Sequence, residues 1–267
     1  MLFCTDLDGT LYRDDRTVSQ ENLDAIEYFK AEGGLFTFIT GRPPKTAEEM
    51  CNTVKPNAPF GCLNGGGIYD FQERKFLWKT YLPEAGFDLV KEVDRKLPRV
   101  RIHVHTEQGI IFKRDPSKRV HFLATDGPIE PDEGIVYIQE PVFKVVFAHE
   151  DPQLRASLMQ LLHSHPKAQE FSFIRSEETF YEILPKGSNK GTLLGKMAQL
   201  LRIDPKKVIA VGDYNNDVSM LQAAGLGIAV ANAVDEVKAV ADYITVSNNE
   251  HAIANIISKL DQGLLAI

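Results

Sequence analysis

The chain has 267 residues, 43% hydrophobic and 25% charged, with a formal net charge of −7. That length holds one large domain or two modest ones, and the composition is that of a folded globular protein rather than a disordered or fibrous one. The negative charge, without any Lys/Arg run, excludes the electrostatic footprint of a nucleic-acid binder, and no apolar run approaches a membrane span.

The first residues enter a strand rather than a basic and apolar leader. Cys4, Cys51 and Cys62 are odd in number and unpaired in spacing, so they read as reduced core thiols. The expectation is a soluble cytoplasmic protein.

Leu2-Phe3-Cys4 predicts a buried strand that runs into Asp6-Leu7-Asp8-Gly9-Thr10, where Gly9 permits a sharp turn. Ser19 caps a helix that reaches about residue 32, with Leu23, Ile26 and Phe29 on one face, and Gly33-Gly34 stops it. A strand over 35–39 ends in Thr40-Gly41-Arg42, a helix follows over 46–54, and a strand over 60–63 runs into Asn64-Gly65-Gly66-Gly67.

From about residue 82 to 184 the pattern changes. Strands are predicted over 99–105, 109–113, 143–149, 171–175 and 179–184, with helices over 87–97 and 152–163. Phe143, Phe147, Phe171, Phe173 and Tyr181 recur at period two and read as the core of this module. Beyond it the helix and strand alternation resumes: helix 192–201, strand 208–211 ending in Gly212-Asp213, helix 218–224, strand 226–230, helix 234–241, strand 243–246 and helix 250–260.

Strands separated by helices imply parallel pairing through right-handed crossovers. The predicted fold is therefore α/β, a Rossmann-like doubly wound parallel sheet formed by residues 1–81 and 185–267, interrupted by an α+β module over 82–184. Tyr81-Leu82-Pro83 and Leu184-Pro185-Lys186-Gly187 are the expected hinges.

Ligands of open α/β sheets bind at the carboxyl ends of the strands. Four polar signals flank such ends or the helices that follow: Asp6/Asp8, Thr40-Gly41-Arg42, Lys190-Gly191 and Gly212-Asp213-Tyr214-Asn215-Asn216-Asp217. Phosphoryl transfer needs a nucleophile, a proton-transfer group, a metal, a fixed cation and neutral donors for the remaining oxygens, and this set supplies each. Taken singly, each has a plainer reading. Asp8-Gly9 can be a turn after an edge strand, Thr40-Gly41-Arg42 a strand-ending turn, Lys190 a solvated lysine, the Asp213 run a polar loop with a helix cap, and Arg42 a surface or hinge cation. Their order, each beside a predicted strand end, favours one shared site.

In that order, and with a large insertion between the second and third signals, the four motifs resemble the haloacid dehalogenase superfamily, in particular its Cof-like phosphatases with an inserted α/β cap. The resemblance implies that Asp6 is a nucleophile forming an aspartyl-phosphate, and that Asp8 is general acid and then general base. It places Mg²⁺ on Asp6, the main-chain carbonyl of Asp8 and Asp213. It assigns phosphate oxygens to Thr40, the Gly41 and Leu7 N–H groups, Lys190 and Asn216, and it makes Asp217 an orienting group. Asn64 matches an Asn-Gly near the site mouth, although here two more glycines follow it.

The implied activity is Mg²⁺-dependent hydrolysis of small phosphomonoesters, sugar phosphates or related metabolites, under a cap that closes and supplies specificity. The expected partner is a small phosphorylated metabolite, with no nucleic acid and no membrane, acting on a monomer or weak homo-oligomer. A phosphosugar mutase and a non-catalytic phosphosugar-binding protein are the alternatives. The Gly-Asp-x-x-Asn-Asp form with Lys190 favours the hydrolase over the first, and the presence of both Asp6 and Asp8 argues against the second.

Three weaker patterns stand apart. His103-Val104-His105 puts two imidazoles on one strand face, without a third zinc ligand in company. Gly187-Ser188-Asn189-Lys190-Gly191-Thr192 lacks the Walker spacing, and Gly225-Leu226-Gly227 lacks the third glycine of a dinucleotide fingerprint.

Overall fold

The computed structural model describes residues 1–113 and 141–266. In chain order its elements begin with β1 (Leu2–Thr5), α1 (Gln20–Ala31), β2 (Leu35–Phe38), α2 (Pro44–Val54), β3 (Phe60–Cys62), β4 (Gly67–Asp70) and β5 (Lys75–Lys79). There follow α3 (Ala85–Lys96), β6 (Arg101–Thr106), β7 (Ile110–Lys113), β8 (Val142–Ala148), α4 (Pro152–Ser164), β9 (Phe171–Arg175) and β10 (Phe180–Pro185). The last are α5 (Lys190–Leu201), β11 (Val208–Gly212), α6 (Val218–Ala223), β12 (Leu226–Ala229), α7 (Asp235–Lys238), β13 (Tyr243–Ile244) and α8 (Ala252–Asp261).

The chain divides into two compact units, Met1–Trp78 with Asn189–Ile267, and Lys79–Ser188. In the first, a parallel sheet has the order β13-β12-β11-β1-β2. β1 lies inside this sheet, Thr5 paired with Val211 on one side and Phe38 on the other, so these strands end along one edge. All four residues of β1 are buried, as expected for a strand covered on both faces. Phe3 stacks on Phe36 at 5.3 Å and meets Phe29 of α1 edge-on at 5.7 Å. α1 starts where its cap predicts, with Ser19 Oγ accepting the Asn22 N–H at 3.3 Å.

Three features of this unit differ from expectation. β3 joins the parallel sheet only through the Ile39–Gly61 bridge and pairs antiparallel with β4, so β3, β4 and β5 make a separate small sheet. Leu63 and Asn64 reverse the chain with φ of 60° and 54°, a left-handed pair that lets the glycine run lead back as β4. β13 has two residues where four are expected, and α7 four where eight are.

The second unit is an antiparallel sheet of order β7-β6-β8-β10-β9. One face carries Ile102, Val104, Val145, Phe147 and Ile183 and packs against Leu89, Val90 and Val93 of α3 and Leu158 and Leu162 of α4. Phe147, Phe171, Phe173 and Tyr181 join that core as expected. Phe143 is buried as well but outside that cluster: the register shift between His105 and Thr106 sets its side chain against Tyr81, with ring centres 5.0 Å apart. Alternation places His103, His105, Lys144 and Glu182 on the opposite face, all buried, with Lys144 and Glu182 paired at 2.8 Å. Residues 114–140 of the expected insertion lie outside the described residues. Among the described residues no helix is long and apolar enough to cross a membrane. Cys4, Cys51 and Cys62 are buried and free.

Candidate active site

Asp6 continues the sheet one residue past β1, its N–H donating to the Val211 carbonyl at 2.9 Å. The chain then folds into a tight turn over Leu7–Leu11, broken at Asp8 (ψ 125°) and at Gly9 (φ 73°). A side chain at Gly9 would overlap Asp213 Oδ2, so glycine both adopts the left-handed backbone and lets the turn lie against the loop after β11. Thr10 Oγ1, in the same turn, donates to Asp213 Oδ1 at 2.8 Å. Asp6 and Asp213, far apart in sequence, are thereby held by one turn.

Lys190 is the first residue of α5, whose start is fixed by a reciprocal cap between Asn189 and Thr192. A Cβ at Gly191 would run into the Ser219 carbonyl, so α5 approaches α6 at backbone contact and carries Lys190 inward. Its side chain is fully buried, with Nζ 2.8 Å from Asp6 Oδ1 and 2.6 Å from Asp217 Oδ1. The reading of Lys190 as a solvated lysine is thus excluded. The second oxygen of Asp217 accepts the Asp213 and Tyr214 N–H groups at 3.0 and 3.2 Å. Asp217 therefore fixes both the lysine and the loop that presents Asp213.

Carboxylate oxygens of Asp6, Asp213 and Asp217 lie within 4.8 Å of one another. Burial, partly offset by the Lys190 ammonium, holds the Asp6 carboxyl well above its ordinary range. Burial and then the Asp217 charge push Asp213 up to about 7. Burial alone would lower Lys190, but Asp217 and Asp6 outweigh it and raise its value. Hard oxygen donors crowded together, two of them destabilised as anions, suit a hard divalent cation such as Mg²⁺. Both Asp217 oxygens already have partners, so Asp6 and Asp213 are the carboxylates that fit a metal best.

Asp8 leaves this cluster. Its two oxygens accept from Arg42 Nε at 2.8 Å and Nη2 at 2.6 Å in a bidentate pair. Arg42, expected as a surface or hinge cation, has a side chain only 13% exposed. Its guanidinium lies over the Tyr12 ring at 5.2 Å and reaches the Thr46 carbonyl at 3.4 Å. The role is absent from a reading by motif alone; its only sequence signal is the place directly after Thr40-Gly41. Thr40, past the end of β2, accepts the Arg42 N–H on Oγ1 at 3.2 Å.

Asn216 Nδ2 donates to Asn64 Oδ1 at 3.1 Å, which leaves Asn216 Oδ1 buried without a hydrogen-bond partner among the described residues. The amide expected to face phosphate therefore faces Asn64 here. Leu7 and Gly41 stand in the turns after β1 and β2. His103 and His105 lie in the other unit, where burial pushes His103 down to about 3 and His105 well below the usual imidazole range. Neither belongs to a metal-ligating cluster among the described residues.

The chain is similar to known proteins along almost its whole length. The profile of haloacid dehalogenase-like hydrolases matches residues 3–257. The putative phosphatase YxeH of Bacillus subtilis is 32% identical, with 97% of each chain covered. The 5-amino-6-(5-phospho-D-ribitylamino)uracil phosphatase YwtE of the same organism is 29% identical over 98% of each. A solved haloacid dehalogenase-like hydrolase from Bacteroides thetaiotaomicron superposes with a TM-score of 0.84 at 26% identity, covering 97% of this chain and 98% of that one.

Proposed function

We propose that this chain, which belongs to the haloacid dehalogenase-like hydrolase family, is a Mg²⁺-dependent phosphatase that hydrolyses small phosphomonoesters through a phosphorylated Asp6. The observation that carries the reading is the buried Asp6 carboxylate, 2.8 Å from a fully buried Lys190 and beside Asp213. A binding site for a phosphate dianion has no use for a buried carboxylate at its centre, whereas a nucleophile must be there.

In the first step an Asp6 oxygen bonds to phosphorus as the ester P–O bond breaks, and Asp8 gives its proton to the departing alkoxide. In the second a water attacks the same phosphorus, Asp8 takes the water's proton, and the Asp6 carboxylate leaves. Lys190 keeps a positive charge beside the nucleophile through both steps. Thr40, the Leu7 and Gly41 N–H groups and Asn216 are assigned to the phosphate oxygens, with Asn64 aligning Asn216. Asp217 holds Lys190 and the Asp213 loop in place. Mg²⁺ held by Asp6, Asp213 and the Asp8 carbonyl would draw charge from the transferring phosphoryl group.

The relative named for 5-amino-6-(5-phospho-D-ribitylamino)uracil supports a small sugar or polyol phosphate as substrate. The test is inorganic phosphate release from a panel of such esters by wild type and Asp6→Asn. The variant should lose at least about 10³-fold in turnover with an unchanged circular-dichroism spectrum. Activity above a tenth of wild type would remove Asp6 as nucleophile, and an isomerised sugar phosphate in place of free phosphate would make the enzyme a mutase.

A further inference from the structure

We propose that Arg42 is a latch on Asp8, opened by a substrate whose hydroxyl or carbonyl oxygens, on the leaving-group side, take the place of the Asp8 carboxylate on the guanidinium. The inference rests on the reading of Asp8 as general acid and base. It adds a positioning residue that senses the leaving group.

The guanidinium is anchored independently of Asp8. Tyr12, which lies under it, ends the turn after Asp6, its own N–H donating to the Leu7 carbonyl at 2.8 Å. Nη1 reaches the Thr46 carbonyl of α2, and the Arg42 backbone is tied to Thr40 Oγ1. Asp8 is the less constrained half, with its side chain 42% exposed against 13% for Arg42. Two parallel bonds at 2.8 and 2.6 Å occupy both carboxylate oxygens on the side they share, which is the more basic side of a carboxylate.

To meet an alkoxide departing from a phosphoryl group on Asp6, at least one of those oxygens must turn away from Arg42. That withdraws a charge-assisted fork from a cation that water reaches poorly, and the loss opposes release unless other oxygens replace it. A planar fork of donors accepts two adjacent hydroxyls, or a hydroxyl and a carbonyl, as readily as it accepts a carboxylate. Esters of polyols and sugars bring such oxygens next to the phosphoester. A plain alkyl ester does not, and with it the proton-transfer group stays latched.

Ribitol 5-phosphate and n-pentyl phosphate test this, because both lose an alkoxide from a chain of the same length and differ in hydroxyls. Wild type should favour the ribitol ester in kcat/KM. In Arg42→Met that preference should shrink at least about tenfold, the size expected for losing a hydrogen bond to a charged group. The ribitol ester should lose kcat more than KM, while turnover of the pentyl ester rises because nothing holds Asp8 aside. Arg42→Lys, with charge but no fork, should fall between. Tyr12→Leu, which removes only the stacking surface, should move the ratio in the same direction and serves if Arg42→Met does not fold.

An unchanged ratio in a folded variant makes Arg42 a structural residue and overturns the latch. So does a weakening of inorganic phosphate inhibition beyond about threefold, which would make Arg42 a ligand of the phosphoryl group, where single charged contacts have effects of that size or larger. Asp8→Asn separates the two levels. It should abolish turnover of both alkyl esters, while p-nitrophenyl phosphate, whose leaving group needs no proton, still releases one burst of p-nitrophenol per enzyme before stalling at the water step that Asp8 assists. Retained alkyl turnover would refute the acid and base role itself rather than the latch.

Discussion

Replacing Asp217 tests whether the buried carboxylate organises the site. Asp217 and Lys190 side chains are both fully buried, with 2.6 Å between their charged atoms. Removing one partner of a buried pair costs about 3–5 kcal/mol. In Asp217→Asn the amide keeps one oxygen for the Asp213 and Tyr214 N–H donors but turns an NH₂ toward the ammonium. Asp6, still 2.8 Å from Lys190, retains part of the attraction, which places Asp217→Asn near the lower limit, about 3 kcal/mol. Asp217→Ala also strands two backbone donors, at roughly 1–3 kcal/mol each, so it should cost about 5 kcal/mol or more. Against a whole-protein stability of about 5–15 kcal/mol, the alanine variant approaches unfolding. At about 2–4 °C per kcal/mol, Asp217→Asn should lower Tm by roughly 6–12 °C. Urea and thermal unfolding followed by circular dichroism measure both. A double variant with Lys190→Met should cost less than the two singles together. Should Asp217→Asn stay within about 1 kcal/mol of wild type with its kcat intact, the buried pair is not what holds Lys190 and the loop.

Four further outcomes follow. Gly9→Ala should lower kcat by about tenfold or more and weaken Mg²⁺ binding, because the methyl displaces Asp213 from a turn that also needs φ 73°; wild-type metal affinity in titration calorimetry would contradict that. EDTA should silence the enzyme, with Mg²⁺ restoring it and Ca²⁺ failing to. Since Asp213 is held near 7, the metal displaces a proton there, and the Mg²⁺-induced rise in Tm should be larger at pH 8 than at pH 6; an equal rise at both, or full activity in EDTA, would refute this metal site. Burial, with Arg101 and Lys144 nearby, holds His103 at about 3. The unfolded chain takes up that proton first, so His103 favours the fold fully above about pH 6.5, and its contribution is lost between there and pH 3 at up to about 1.4 kcal/mol per pH unit. His103→Phe should flatten the dependence of urea midpoints on pH between 7 and 4, and parallel slopes would show that other groups dominate.

The centre of the parallel unit was legible because β1 and β11 are buried throughout and each runs directly into an aspartate. β1 and β11 needed only an apolar run followed by aspartate to be placed, and the cap of α1 was written in Ser19. What decided Lys190 was a backbone approach at Gly191, which no pattern of single residues displays. The Arg42–Asp8 pair was hidden for a related reason, since two side chains 34 positions apart meet only after the turns that carry them are built. β4 and β5 were missed because the glycine run masks a reversal made by Leu63 and Asn64, residues that seldom adopt positive φ together. Phe143 is buried as expected, but one irregularity of register turns it toward Tyr81 rather than the face that Phe147 joins, a change that spacing alone does not display.

The order β11-β1-β2 also governs when the enzyme can come into being. The first strand leaves the ribosome with β2 soon available on one edge, but its other neighbour is encoded about 200 residues later. At about 5–20 residues per second that is a wait of roughly 10–40 s, during which an apolar strand edge stays open. On the proposed mechanism a chain that lacks Asp213 and Asp217 presents Asp6 without the rest of its cluster, so a nascent or truncated chain should be inert toward phosphate esters. Such a chain carries the aggregation risk of an unfinished sheet without the activity of a finished one, and translation stalled before residue 213 yields a client for chaperones rather than a partial catalyst.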